Sequence, residues 1–196
     1  MKKLLLYISL LFPCTQYSYA QHAGDLDNTF GTNGVVKTDF GSNFNLGGNP
    51  KKVLPQSDGS MLIVFDFEFE RTAILKKHAD GSDDLHFGIN GLSEVAGMKT
   101  NAAAAQADGS IIVVGSVGNS FAVARYHPGG TLDKQFGTSG IQLYQLGDQS
   151  QGNDVTLQQD GKMVILGISG TLECDGLYTN FALVRLQIIL TIKHET

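Results

Sequence analysis

His78 and His127 close apolar runs at matching places in the chain, and a repeated pair of imidazoles is an arrangement that can hold a transition metal. Gln187 fills the third such place and no second ligand is set beside either histidine, so the pattern reads as hairpin ends. Asp25, Asp27 and Asn28, and again Asp80, Asp83 and Asp84, bring several oxygens into short segments, as a calcium loop requires. The third copy keeps only Asp133, and aspartate that caps a turn accounts for all of them. Carboxylates are plentiful enough for a glycosidase pair, yet nothing in the spacing selects two of them. There is no G-x-S-x-G elbow, no H-E-x-x-H helix and no glycine loop followed by Lys-Ser/Thr. The sequence therefore assigns no catalytic, cofactor-binding or metal residue and no cofactor, and the expectation is a protein that is not an enzyme.

The residues that do recur are those that position strands. QSDGSMLIVF (56–65), QADGSIIVVG (106–115) and QQDGKMVILG (158–167) each place an Asp-Gly pair before an apolar run. GDLDNTFGTNG (24–34), GSDDLHFGING (81–91) and GTLDKQFGTSG (130–140) each contain Phe-Gly-x-x-Gly. Asp58, Asp108 and Asp160 lie 50 and 52 residues apart, and Phe30, Phe87 and Phe136 lie 57 and 49 apart. A period near 50 residues with several strands per unit marks a blade or solenoid repeat.

Each unit reads as four short strands: 34–40, 51–56, 60–65 and 72–78; then 91–97, 102–106, 110–115 and 121–127; then 140–146, 154–158, 162–167 and 181–186. The Asp-Gly pair joins the second and third of these, which predicts a two-residue type I′ turn with positive φ at both positions. The strand after it is continuously apolar, so both its faces should be covered. Ala102–Ala105 would favour helix on propensity alone, but the repeat places a strand there. Phe30, Phe87 and Phe136 are expected to plug the junctions between units, each ring worth roughly 1.5–3 kcal/mol when buried.

At the start, Lys2 and Lys3 precede the apolar run Leu4–Phe12, and Ser18-Tyr19-Ala20 supplies small residues at the -3 and -1 positions. This pattern predicts a signal peptide over residues 1–20, cleaved after Ala20. The run falls short of the ~20 residues that span a bilayer. Cleavage removes two lysines and no acid, taking the formal charge from -5 to -7. An acidic chain without a basic cluster is a poor ligand for nucleic acid or anionic membrane. Cys14 leaves with the leader, so Cys174 has no partner in the chain and is expected to be buried as a small hydrophobe, with pairing between chains as the alternative.

Leu132-Asp133-Lys134-Gln135-Phe136-Gly137, Gln158-Gln159-Asp160-Gly161-Lys162 and Phe121-Ala122-Val123-Ala124-Arg125-Tyr126 together resemble the delta-60 repeat, a bacterial repeat assigned to a β-propeller domain of unknown function. The first unit departs from that pattern, with Thr72 in place of Phe121 and Phe181, and Lys76 in place of Arg125 and Arg185. The resemblance implies an exported, propeller-like module of the kind found in long cell-surface chains, and it brings no catalytic residues.

The expected fold is all-β: a β-propeller-like array of about three four-stranded antiparallel units (24–80, 81–129 and 130–186, within a domain 21–196), open or incomplete, with a divergent tail at 187–196. Closed propellers have four to eight blades, so an unclosed array is expected to self-associate through its blade edges. The expected function is a structural or protein-interaction role at the cell surface or in the periplasm. The segment Gly170–Asn180, with Glu173, Cys174 and Asp175, reads as a long loop and a contact surface. Alternatives are a carbohydrate-binding or carbohydrate-active propeller using Tyr126, Tyr144 or Tyr178, and a remnant of a longer surface protein. The partner is an unidentified protein or glycan.

Overall fold

The computed structural model describes residues 23–38, 48–67, 70–174 and 176–187. The expected signal peptide (1–20) and the tail beyond Gln187 lie outside the described residues. Those described form strands and turns only, in three antiparallel sheets. The first sheet holds β1 (Asn49–Pro55), β2 (Met61–Phe67), β3 (Arg71–Lys77) and β4 (Leu92–Ala96), in that order. The second holds β5 (Lys99–Ala105), β6 (Ile111–Val117), β7 (Ser120–Tyr126) and β8 (Ile141–Tyr144). The third holds β9 (Gln149–Leu157), β10 (Met163–Glu173) and β11 (Gly176–Leu186). This is an open, propeller-like array, and Ala102–Ala105 are strand residues as the repeat required.

The sheets are out of phase with the sequence units. The strand that follows each Phe-Gly turn does not open the next sheet; it closes the preceding one. Leu92 pairs with Leu75, and Ile141 with Ala124. The matching segment at 34–40 has no earlier sheet among the described residues, and Val35 makes only an isolated bridge with Thr32. Asp39 and Phe40 lie outside the described residues.

The turn types also differ from expectation. At the Asp-Gly hairpins only the glycine has positive φ (Gly59 80°, Gly109 81°, Gly161 80°), so these are not type I′ turns. Gly59 N–H donates to Gln56 O at 3.1 Å and Gln56 N–H to Ser60 O at 2.8 Å, which describes a three-residue loop ending in a left-handed glycine. The aspartate then accepts from the amide two residues on, at 2.9 Å for Asp58 and Ser60. An aspartate that bonds its own backbone in this way has no need of the left-handed region. Positive φ at consecutive residues occurs instead inside Phe-Gly-x-x-Gly: Asn33 with Gly34, Asn90 with Gly91, and Ser139 with Gly140.

Between the first and second sheets, Leu54, Leu62, Val64, Ile74 and Val95 meet Met98, Ala103, Ile111, Val113, Ala122, Ala124 and Tyr126. Between the second and third, Ile112, Val114, Phe121 and Val123 meet Val155, Met163 and Ile165. Phe87 is buried in the first of these cores, whereas Phe30 and Phe136 are half-buried. β6 is covered on both faces, as its apolar run required; β10 is not, because Leu166 is exposed.

The expected loop at Gly170–Asn180 is a hairpin instead. β10 and β11 stay in register from Met163↔Leu186 to Glu173↔Gly176. Cys174 sits at the hairpin tip and is exposed, not buried. Alternating Thr, Leu, Tyr and aromatic residues favour extended backbone, and no Pro or Asn-Gly pair interrupts them.

Candidate functional site

The residues with chemistry to offer are held in turns and ion pairs. Lys76 reaches Asp84 at 3.3 Å, and Arg125 reaches Asp133 at 3.7 Å and Asp108 at 3.3 Å. The Lys76–Asp84 and Arg125–Asp133 pairs tie the end of a third strand to the following Asp-x-x-Phe-Gly turn, where Asp84 and Asp133 also donate their amides to the carbonyls of Lys76 and Arg125. Lys76 thus performs the part of Arg125 despite the sequence departure. Buried Lys77 pairs with Asp83 at 2.5 Å, and buried Asp66 with Lys51 at 3.2 Å. Sequence reasoning missed these pairs; the shared spacing from Lys76 to Asp84 and from Arg125 to Asp133 was the available signal.

The acidic candidates do not converge. Asp27 accepts from the Thr29 amide and hydroxyl, and Asp80 from those of Ser82. These side-chain and backbone hydrogen bonds hold both carboxyls below the ordinary carboxylate value. Asp84 accepts from the His86 amide at 3.1 Å. His78 and His127 are exposed hairpin ends whose amides donate to Ser82 O and Thr131 O, each at 2.8 Å. His127 also approaches Asp133 at 3.7 Å. Among the described residues no three His, Cys, Asp or Glu side chains gather as a metal site.

Among the described residues, several surface depressions lie between the repeated strands and hairpins. One of about 380 Å³ lies between neighbouring hairpins, bordered by Gln106, Asp108, Gln158 and Asp160. Asp160 there is tied to the Lys162 side chain, whose hydrogen bond lowers its pKa. A second, about 320 Å³, runs across the first strands of the sheets past Lys52, Pro55, Ala104 and Thr156. A third, about 230 Å³, is edged by Lys99, Asn119, Gln149 and Gln151.

The tyrosines divide sharply. Tyr126 is fully buried; burial raises its pKa, and its hydroxyl has no protein hydrogen-bond partner. Tyr144 is half-buried, edge-on to Phe121 at 6.2 Å between ring centroids, and burial raises its pKa too. Of these three, Tyr178 is the most exposed, at 49%.

The outstanding surface is the outer face of the third sheet. Register places Leu166 opposite Leu183, Ile168 opposite Phe181 and Leu172 opposite Leu177, so their side chains share one face. Phe181 is 77% exposed and Leu183 65%, with Leu166, Leu172 and Leu177 also exposed. On the matching face of the second sheet Ile112, Val114, Phe121 and Val123 are buried against the third. An exposed apolar group of this kind marks an interaction surface.

Residues 106–136 match the family model described as a β-propeller domain of unknown function, DUF5122. No curated protein matches. Among solved structures, a protein of unknown function from Bacteroides caccae is similar at 13% identity and a TM-score of 0.40, over 69% of this chain. The match spans 46% of that protein, so this chain corresponds to less than half of its length. Over its second sheet, therefore, the chain is similar to a β-propeller repeat family of unknown function.

Proposed function

We propose that this chain is an exported, noncatalytic repeat module that works by contact, at the cell surface or in the periplasm. One observation supports the reading above others. Lys76, Asp80, Asp84, Arg125 and Asp133 are engaged in turns and ion pairs, while Leu166, Leu172, Leu177, Phe181 and Leu183 stand exposed together on β10 and β11. A surface of that composition favours protein contact over bond-breaking chemistry. The leader Lys2–Ala20 supports export.

The test is direct. Purified protein is incubated with chromogenic glycosides, esters and phosphate esters, and no turnover above buffer is expected. Turnover that follows the chain through gel filtration overturns the reading. Expression of residues 1–196 in a secreting host should yield a mature N-terminus at Gln21 by terminal sequencing; retention of the leader removes the export part.

A further inference from the structure

At the rim opposite the Asp-Gly hairpins, polar side chains from separate elements converge on the depression of about 230 Å³. Lys99 opens β5, and Ser116 stands across from it in the register with β6. Asn119 lies in the β6–β7 turn, Gln149 and Gln151 open β9, and Glu70 comes from the turn before β3. Hydrogen bonds hold these pieces in place. Ser150 N–H donates to Asn119 O at 2.8 Å, and Phe121 N–H donates to Ser150 Oγ at 3.1 Å. The start of β9 is thereby clamped to the β6–β7 turn, which fixes the spacing between Asn119 and the two glutamines.

Ser116 is the residue that points to a ligand. It lines the depression at 6% exposure, and among the described residues its hydroxyl has no hydrogen-bond partner. A buried hydroxyl left without a partner is unfavourable, and a polar group seated in the depression would supply one. Lys99 and Glu70 line the same depression, and among the described residues neither belongs to an ion pair.

The donor and acceptor inventory narrows the ligand. An ammonium only donates and a carboxylate only accepts, whereas amides and hydroxyls do both. A simple anion would be repelled by Glu70 and a simple cation by Lys99, so the site suits a ligand without net charge. A free amino acid would match the two charges and leave the amides of Asn119, Gln149 and Gln151 unmet. Hydroxyl groups in a row can engage all of them, because each both donates and accepts. The volume is below the roughly 300–1,000 Å³ of drug-sized sites, which limits the ligand to about one ring.

We propose that this depression binds a single sugar ring, through hydrogen bonds from its hydroxyls to Ser116, Lys99, Glu70 and the three amides. This site goes beyond the contact-module reading and does not depend on it. No aromatic ring lines the site, so its affinity is weak, about 1–10 mM.

The test is a nuclear magnetic resonance titration of the whole isotope-labelled chain with glucose, galactose, mannose and N-acetylglucosamine, with free glycine as the zwitterionic control. Saturable shifts are expected at the amides of Ser116, Asn119 and Gln149–Gln151 with at least one sugar. Ser116→Ala should weaken binding at least about fivefold, as loss of one hydrogen bond does. Lys99→Met and Gln149→Leu change exposed side chains, should weaken it likewise, and decide the matter if Ser116→Ala does not fold. The proposal is overturned if all four sugars leave these amides unmoved, if their shifts fall only elsewhere, or if folded variants bind as the unaltered chain does. The same shifts on adding glycine overturn it too. The turnover assay bears only on the noncatalytic reading, so the two can fail separately.

Discussion

Phe121-Ala122-Val123-Ala124-Arg125 and Phe181-Ala182-Leu183-Val184-Arg185 are nearly the same phrase, on the third strand of the second and third sheets. Phe121 is wholly buried and Phe181 is 77% exposed. Along β7 only the first residue and Arg125 escape burial, whereas none of β11 is buried. The phrase fixes which way each side chain points, by the two-residue alternation of a strand. What covers the side chain depends on the neighbouring sheet. Burial energy in a repeat array is thus a property of the interface between units more than of the unit.

The largest effect that tests this comparison comes from truncating the two rings. Phe121→Ala should cost about 3–5 kcal/mol in urea unfolding, the usual range for emptying a buried aromatic site. Phe181→Ala should stay within about 0.5 kcal/mol, as exposed substitutions do. Equal losses would mean that the third sheet's outer face is covered in solution.

The packing around Phe121 can be tested from the other side. Gly167→Ala places a Cβ 2.3 Å from Gln151 O and 2.7 Å from the Phe121 ring, and should cost about 1–3 kcal/mol through overpacking. Part of that loss comes from the Phe121 ring, so Phe121→Leu in the same chain should recover some of it. Additive losses would show that ring and glycine are not coupled.

A smaller change, of opposite sign, is expected at Tyr126. Its hydroxyl is buried between the first two sheets without a protein partner. Tyr126→Phe should raise stability by up to about 1 kcal/mol, because an unpaired buried hydroxyl is removed at nearly constant shape. A loss of stability would reveal a hydrogen bond to bound water.

The weakest effect lies in the turns. Asp58, Asp80 and Asp160 have folded pKa values held low, mainly by hydrogen bonds from Ser60, Ser82 and Lys162. A lowered folded pKa contributes stability that is present above the unfolded carboxylate value and is lost as pH falls through the folded one. Stability should therefore decline below about pH 4, and Asp58→Asn should flatten that decline slightly. A midpoint unchanged between pH 5 and pH 2 would remove the role assigned to these bonds.

Much of the scaffold was legible because turns and strands are local. Asp-Gly and Phe-Gly-x-x-Gly sit where the chain reverses, and the strand runs between them were readable from apolar patterning. The errors were of a different kind. The turn type at Asp58-Gly59 was misread because Asp-Gly suits two hairpin geometries, and the aspartate-to-amide hydrogen bond favours the longer one. Leu92–Ala96 and Ile141–Tyr144 were grouped with the hairpins that follow them, since adjacency in sequence says nothing of which edge a strand joins. Cys174 was expected inside because cysteine is often buried, and lies instead at a hairpin tip that no neighbouring sheet covers. The candidate site was legible only in part: β11 was recognised as a repeat strand, but its exposure was not.

The sequence alone determined the period, the strand content, the hairpin positions and the facing of each side chain, because these follow from residue type and spacing within a few residues. Only the tertiary structure decided that Phe121 packs against Gly152 and Gly167, that Phe65 is buried with Phe67, Ala73 and Leu75, and that Phe181 stays exposed. Those outcomes depend on which surfaces meet across about 50 residues of intervening chain, and residue spacing carries no record of that encounter.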